Sequence, residues 1–302
     1  MPRLRIVISL LLCLVLIVAT PAAQNKVLPI GMVLQTKGDV QIQRGREKKP
    51  ARLGELLYAG DQVAAVSGEA TLVFCPSTER VNLKSNSLVE LTSQSIRVLK
   101  GIAPARQKAA ACALPHVALG AESMERVGAL RARGYPPILL YVGGPITNSH
   151  PLFHWGPIKD AKLFRVFVRD EMGTVIWEQE TNSQSIAYPE SAPALAAKIY
   201  QWEVRAEGDG KIVAQQTANF EVKPDAKHSR MPSNDTAARM LAATELENAG
   251  YYAEAADLFR LLRDANPNDT RLTRHLAWLY WKAGLVTAMN EELGKLKAKE
   301  PK

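Results

Sequence analysis

Apolar side chains alternate with polar ones along much of this chain, and that period of two limits what it can fold into. Val40 and Ile42, then Ala70, Leu72 and Phe74, Val81 and Leu83, Val89 and Leu91, and Ile96 and Val98 each skip one residue. Successive strand side chains point to opposite faces, so such a run buries one face of a sheet and wets the other. The runs are short and are broken by Gly, Asp, Ser and Asn, with Gly38-Asp39 and Gly60-Asp61 as turn signals. Nothing in residues 30–100 reads as a helix. The expectation is an all-β N-terminal domain over 30–100.

A second β region is expected over 138–222. Its strand candidates are "ILLYVGG", "PLFHWGPI", "KLFRVFVRD", "GTVIWEQET", "SIAYPE", "KIYQWEVRAEG" and "IVAQQTANFEV". Many short strands joined by turns such as Asp170–Gly173 and Gly208-Asp209-Gly210 suggest a β-sandwich. Leu163, Arg165, Phe167 and Arg169 form one alternate set, and Phe164, Val166 and Val168 the other. The wholly apolar set should face the core. Trp155, Trp177 and Trp202 are read as packing residues, with a sugar-stacking platform as the alternative.

The order Gly38-Asp39-Val40, Gly54, Gly60-Asp61-Gln62-Val63, Ala70-Thr71-Leu72 and Asn86-Ser87-Leu88-Val89-Glu90-Leu91 resembles the FecR-like domain, a small all-β module of bacterial envelope proteins. In its transport-signalling members the domain sits behind a membrane helix and a cytoplasmic anti-sigma segment. Here an export signal stands in front of it, which argues against direct sigma-factor control. The resemblance implies an envelope binding or assembly module with no known catalytic residues. The layout of 138–222 resembles immunoglobulin-like or fibronectin type III modules.

The export signal is "MPRLRIVISLLLCLVLIVATPAAQ". Arg3 and Arg5 precede an uncharged run from Ile6 to Ala19, and Thr20 and Ala22 are small residues suited to cleavage after Ala22. The alternative is an uncleaved anchor, but the run is short of the roughly 20 residues that span a bilayer. Cys13 lies mid-run without small residues before it, which disfavours a lipoprotein anchor. Removing residues 1–22 takes away Arg3 and Arg5 and lowers the formal charge of +8 by two. The remaining charge is mild, compatible with ordinary solubility or with loose attraction to anionic glycan or lipid surfaces. Cys75 and Cys112 remain, and an oxidising compartment favours their pairing over two buried thiols. Closing that loop would stabilise the fold by about 3–4 kcal/mol in the loop-entropy model.

Residues 101–137 read as a connector with a short helix over 121–133, where Met124, Val127 and Leu130 are interspersed with charges and Gly134 follows. Residues 223–233 read as a polar, proline-containing linker. Residues 234–302 then read as four short helices, with Asn234 or Asp235 capping the first and Asn268 or Asp269 the third. Gly250 and Gly284, Leu246 and Tyr280, and Pro267 and Pro301 are each 34 residues apart. With Ala255 and Phe259, this resembles two tetratricopeptide repeats, although Met289 stands where a small residue is usual. The expected fold is therefore multidomain: an all-β N-terminal domain, a β-sandwich middle domain and an α-helical tetratricopeptide-like C-terminal domain. In such arrays the first helix of each repeat lines a concave groove. The resemblance implies that Arg271, Arg274, Trp278 and Lys282, with Met240 and Thr244, line it here. Two arginines and a lysine around a tryptophan suit an acidic peptide or a C-terminal carboxylate; an ordinary basic helix face is the plain alternative. On the last helix Val286, Met289, Leu293 and Leu296 form an apolar stripe. Two repeats are fewer than the three that usually suffice for independent stability, so the first helix should dock on the sandwich, a second copy of the chain or a partner.

No nucleotide-binding loop, nucleophile elbow or CxxC pair is present in the sequence. His150 and His154 are four apart, but Pro151 and Gly156 disfavour a helix there, so a structural role is expected and no metal or cofactor. Glu178 and Glu180 read as a solvated strand face. Arg44, Arg46, Lys48, Lys49 and Arg52 form a dense basic run, read as a solvated hairpin or as a contact for anionic glycan or lipid headgroups. No aromatics interleave with it, so nucleic acid is not expected. The sequence points to a binding protein of the envelope, not an enzyme: a scaffold with a protein partner, a peptidoglycan or glycan binder, or a periplasmic sensory subunit. Self-association through the helices is a further expectation.

Overall fold

A computed structural model describes residues 28–109, 112–115, 118–119, 121, 136–225 and 235–297. The expected export signal, the helix expected over 121–133 (apart from Ala121), most of the expected linker, Asn234 and Pro301 lie outside the described residues.

The first unit holds β1 (Gly31–Lys37), β2 (Val40–Arg44), β3 (Glu47–Pro50), β4 (Leu56–Leu57), β5 (Gln62–Ala65), β6 (Glu69–Phe74), β7 (Glu79–Leu83), β8 (Ser87–Leu91), β9 (Ile96–Lys100) and β10 (Ala105–Lys108). They form two five-stranded sheets, ordered β10-β7-β6-β1-β4 and β3-β2-β5-β8-β9. The alternating residues meet between the sheets, where Ile42, Val63, Leu72, Phe74, Val81, Val89 and Leu91 are buried in one core. β10 pairs with β7, so the β unit runs past residue 100. The Gly60-Asp61 signal marks a turn held by a buried carboxylate. Asp61, 1% exposed, accepts from Arg44 Nε and Nη2 at 2.8 Å each and from the Tyr58 N–H at 2.9 Å.

The second unit holds β11 (Gly144–Ile146), β12 (Leu152–His154), β13 (Leu163–Arg169), β14 (Val175–Thr181), β15 (Ser185–Ala187), β16 (Ile199–Gly208) and β17 (Lys211–Val222). Its main sheet is ordered β11-β17-β16-β13-β14, and β12 pairs with β15 in a small second sheet. Phe164, Val166 and Val168 face the core. Trp202 is fully buried, donates from Nε1 to the Val142 carbonyl at 2.9 Å, and lies 4.9 Å from the Phe153 ring. The stretch "ILLYVGG" departs from expectation. Only its last glycine is in a strand, and Leu140 makes an isolated bridge to Trp155. The reason is close backbone approach: a Cβ on Gly143 would stand 2.7 Å from Leu285 Cδ2 and 3.0 Å from the Ala283 carbonyl oxygen.

The four helices are α1 (Thr236–Ala249), α2 (Tyr252–Ala265), α3 (Thr270–Lys282) and α4 (Val286–Lys297). Asp235 caps α1 by accepting from the Ala237 and Ala238 N–H groups, and Asp269 caps α3 by accepting from that of Arg271. Gly250 and Gly284 both take the left-handed conformation after a helix, at φ 87° and 76°, where a side chain would be strained. The repeated spacing is thus a repeat of hairpin geometry.

The expected separate tetratricopeptide-like domain is not there. Strand accounts for 39% of the described residues and helix for 22%, and the helices do not own their core. One continuous apolar cluster takes Met32, Leu34, Leu53 and Val73 from the first unit, Val142 and Ile146 from the second, and Met240, Phe259, Leu276 and Leu285 from the helices. β1 shows how this arises. Val33 faces the core between the two sheets, while Met32 and Leu34 face the shared cluster, and α1 packs on this strand while α2 packs on β11. The N-terminal β unit fits the expectation only in part, because one of its sheets is buried on both faces along the first half of β1. A strand buried on both sides reads as a continuous apolar run, and "GMVL" is one. Beyond these limits, among the described residues no helix is long and apolar enough to cross a membrane.

Candidate functional site

The face of α3 expected to bind a partner splits into two parts with different surroundings. Leu272, Thr273, His275, Leu276, Ala277, Leu279 and Tyr280 are buried, which leaves Arg271, Arg274, Trp278 and Lys282 on the other side at spacings of three and four.

Arg271 is committed within the protein. Its Nε and Nη2 reach Asp269 at 2.9 and 2.6 Å, Nη1 reaches Glu55 Oε2 at 3.1 Å, and Nη2 also donates to the Leu53 carbonyl at 3.1 Å. Glu55 is in turn paired with Lys49. This network fastens the start of α3 to the first β unit, so Arg271 does not line an open groove. Met240 and Thr244 do not line one either, since both are fully buried. Cys75 and Cys112 are bonded, with their Cα atoms 5.2 Å apart, and the bond holds the following residues across α1. Thr244 Oγ1 donates to the Ala113 carbonyl at 3.2 Å, and Asn248 Nδ2 to the Leu114 carbonyl at 3.0 Å. Leu119 and Met240 then close over Gly54: a Cβ there would lie 2.1 Å from Leu119 Cδ1 and 3.1 Å from Met240 Cε. The chain fills its own groove.

The other end of α3 stays open. Arg274 is half-buried. Trp278 stacks on the His275 ring at 5.5 Å and meets Tyr252 of α2 edge-on at 5.9 Å. His275 is itself held by a fully buried hydrogen bond between Nε2 and Glu247 Oε2, 2.9 Å long. Lys282 Nζ lies 5.2 Å from the centroid of Tyr252, 6.0 Å from that of Trp278 and 5.8 Å from that of Trp281. Trp281 is 49% exposed. Tyr252 and Trp281 were not among the residues expected from sequence. Trp281 follows Trp278 by three positions and could have been found by helical spacing; Tyr252 belongs to another helix and carries no such signal.

A second polar cluster joins α2 to the second β unit around a cavity of about 150 Å³. Glu254 Oε1 accepts from the Thr147 N–H at 2.8 Å and from its hydroxyl at 3.0 Å. Burial pushes the Glu254 carboxyl above the usual range, against the opposing pull of those hydrogen bonds. His154 Nε2 lies 3.2 Å from Asp257 Oδ2, Arg260 donates to Asp257 Oδ1 at 3.0 Å, and the Arg260 guanidinium lies 4.6 Å over the Tyr141 ring. His150 has other neighbours, the Ala192 carbonyl and Glu190. The two histidines therefore make separate contacts and do not converge. The basic run is also divided. Arg44 and Lys49 are tied to Asp61 and Glu55, while Arg46, Lys48 and Arg52 are exposed. Glu178 and Glu180 are exposed on β14 beside Arg165, which lies 2.7 Å from Glu180.

No family model and no curated protein sequence matches the chain. Among solved structures it is similar to an FMN-binding beta-glucuronidase from Facaelibacterium prausnitzii L2-6, at 10% identity over 65% of this chain and 40% of that one, with a TM-score of 0.22. It is likewise similar to a tetra-tandem repeat in the extending region of a large adhesion protein, at 12% identity over 66% of this chain and 68% of that one, again with a TM-score of 0.22. Likenesses at this level carry no argument about fold or function.

Proposed function

We propose that the chain is an exported envelope adaptor, built on a FecR-like β module, that docks an acidic segment of a protein partner at the open end of α3. One observation carries the reading: the Lys282 ammonium stands within about 6 Å of three aromatic rings, one of them on the half-exposed Trp281. Aromatic rings mounted on a packed base offer large contact area at little entropic cost, and a cation among them selects a carboxylate. The stack of Trp278 on the buried His275–Glu247 pair supplies that base. Export rests on the pattern of residues 1–22, and the envelope setting on the FecR-like motifs.

The test uses a labelled peptide of alternating Asp and Leu with a free C-terminal carboxylate, titrated into the full chain. Binding should weaken about tenfold with Lys282→Glu or Trp281→Ala, as expected when about 1.4 kcal/mol of contact is lost. It should also weaken with rising salt. Equal affinity in both variants and the parent chain, or no binding by the parent, would overturn the reading.

A further inference from the structure

We propose a second binding site, distinct from the aromatic patch, in the cleft where the first β unit meets the ends of the helices. Its ligand is an oligosaccharide bearing a carboxylate. The cleft has a volume of about 660 Å³, within the range of formed small-ligand sites. Its walls come from four places in the chain: β1, the loop before β4, the start of α1 and the turn between α2 and α3. The side chains that define its chemistry are Gln35, Arg52, Thr236, Asn266, Asn268 and Asp269.

The lining argues for a hydroxyl-rich ligand. Amides and hydroxyls each both donate and accept, which matches a sugar hydroxyl, while among the described residues no aromatic or large aliphatic chain other than Leu53 lines the cleft. An apolar ligand would leave these groups unpaired and lose affinity.

Arg52 argues for a carboxylate on that ligand. Among the described residues its guanidinium makes no ion pair or hydrogen bond, unlike Arg44 and Lys49 of the same basic run, which are paired. Asp269 does not neutralise it, because that carboxylate caps α3 and binds Arg271. A planar guanidinium with unused donors suits a bidentate carboxylate.

The walls are also built in place. β1 shifts register between Val33 and Gln35, at the point where it borders the cleft, and such bulges re-aim side chains beside sites. Asn266 is fixed by its own bond, donating from Nδ2 to the Leu262 carbonyl at 2.8 Å. The opposite wall is fastened to this one by the Arg271–Glu55 pair, 3.1 Å long. A site held this way loses little ordering entropy when the ligand enters.

The experiment titrates the full chain by calorimetry with three probes: trigalacturonate, the N-acetylglucosamine–N-acetylmuramate disaccharide, and maltotriose as the neutral control. The first two carry the carboxylate on different sugars and separate a plant-type acidic glycan from a wall-derived one. At least one of the two should bind about tenfold or more tighter than maltotriose. Arg52→Gln should erase that preference, and Asn268→Ala should weaken whichever sugar binds while leaving the thermal midpoint in place. Lys282→Glu should change nothing here, which keeps the two sites distinguishable. Equal affinity for all three probes, absence of binding by both acidic sugars, or an unchanged preference in Arg52→Gln would overturn the proposal.

Discussion

At the N-terminal end of α3, Arg271 spreads its guanidinium over Asp269, Glu55 and the Leu53 carbonyl. About three turns further along, Lys282 holds its ammonium over three rings at the surface. Both are cations on one helix face at regular spacing, and the sequence treats them alike. The difference lies in what the rest of the chain brings to each. The first β unit arrives at Arg271 and supplies acceptors; the rings beside Lys282 come from α2 and α3. A cation that finds a buried acceptor becomes part of the framework, and one that finds only aromatic faces remains available to a ligand.

Four predictions press on that contrast. The largest effect concerns the strap that closes the α1 side. Replacing Cys75 and Cys112 by Ser should cost about 4 kcal/mol, as the loop-entropy model gives for a separation of 37 residues. Denaturant unfolding reads this directly, and a loss under 1 kcal/mol would mean that the packing of Ala113 and Leu119 holds the strap unaided. Next, Arg271→Met should cost about 2–3 kcal/mol, because Glu55 and Asp269 lose a partner in a half-buried setting. Its acidic-peptide affinity should stay unchanged.

The third prediction concerns pH and the Glu254 contact to Thr147. Burial raises the Glu254 carboxyl in the folded state, so the folded protein binds a proton there more readily than the unfolded chain does. The charged carboxylate therefore costs stability above its folded value. That cost is relieved as pH falls through the raised value toward the ordinary one of about 4.3. The groups facing it, Asp257, His154, Arg260 and Tyr141, are shared by Glu254→Gln. The stability difference between the two proteins should then isolate Glu254, and it should move in favour of the parent chain on acidification. A flat difference across that window would contradict the assignment. The smallest effect on stability belongs to Lys282→Ala, expected within about 0.5 kcal/mol by thermal unfolding, although this lysine carries the proposed docking contact.

Local chemistry was legible in the sequence. The alternating sets of β2, β6 and β8, the turn at Gly60-Asp61, the caps at Asp235 and Asp269 and the left-handed glycines 250 and 284 each depend on neighbours within a few residues. What was not legible depends on distant partners. The Arg271–Glu55 bond joins residues 216 apart, and Thr244 meets Ala113 from 131 residues away. The tetratricopeptide resemblance implied a groove lined by Met240 and Thr244 but did not reveal that the chain covers that face itself. Gly143 reads as part of a strand because nothing local announces Leu285 and Ala283 pressing against it. For the same reason the helices read as a domain of their own: their amphipathic stripes are local, and the sheets that complete the core are not.

In the proposed reading α3 has a structural end at Arg271 and a binding end at Lys282. The most direct test titrates the Asp–Leu peptide into Arg271→Met and Lys282→Glu side by side, at a temperature where both are folded. The proposed division of α3 predicts parent-like affinity for Arg271→Met and about a tenfold loss for Lys282→Glu. Loss of affinity in Arg271→Met with none in Lys282→Glu would contradict it.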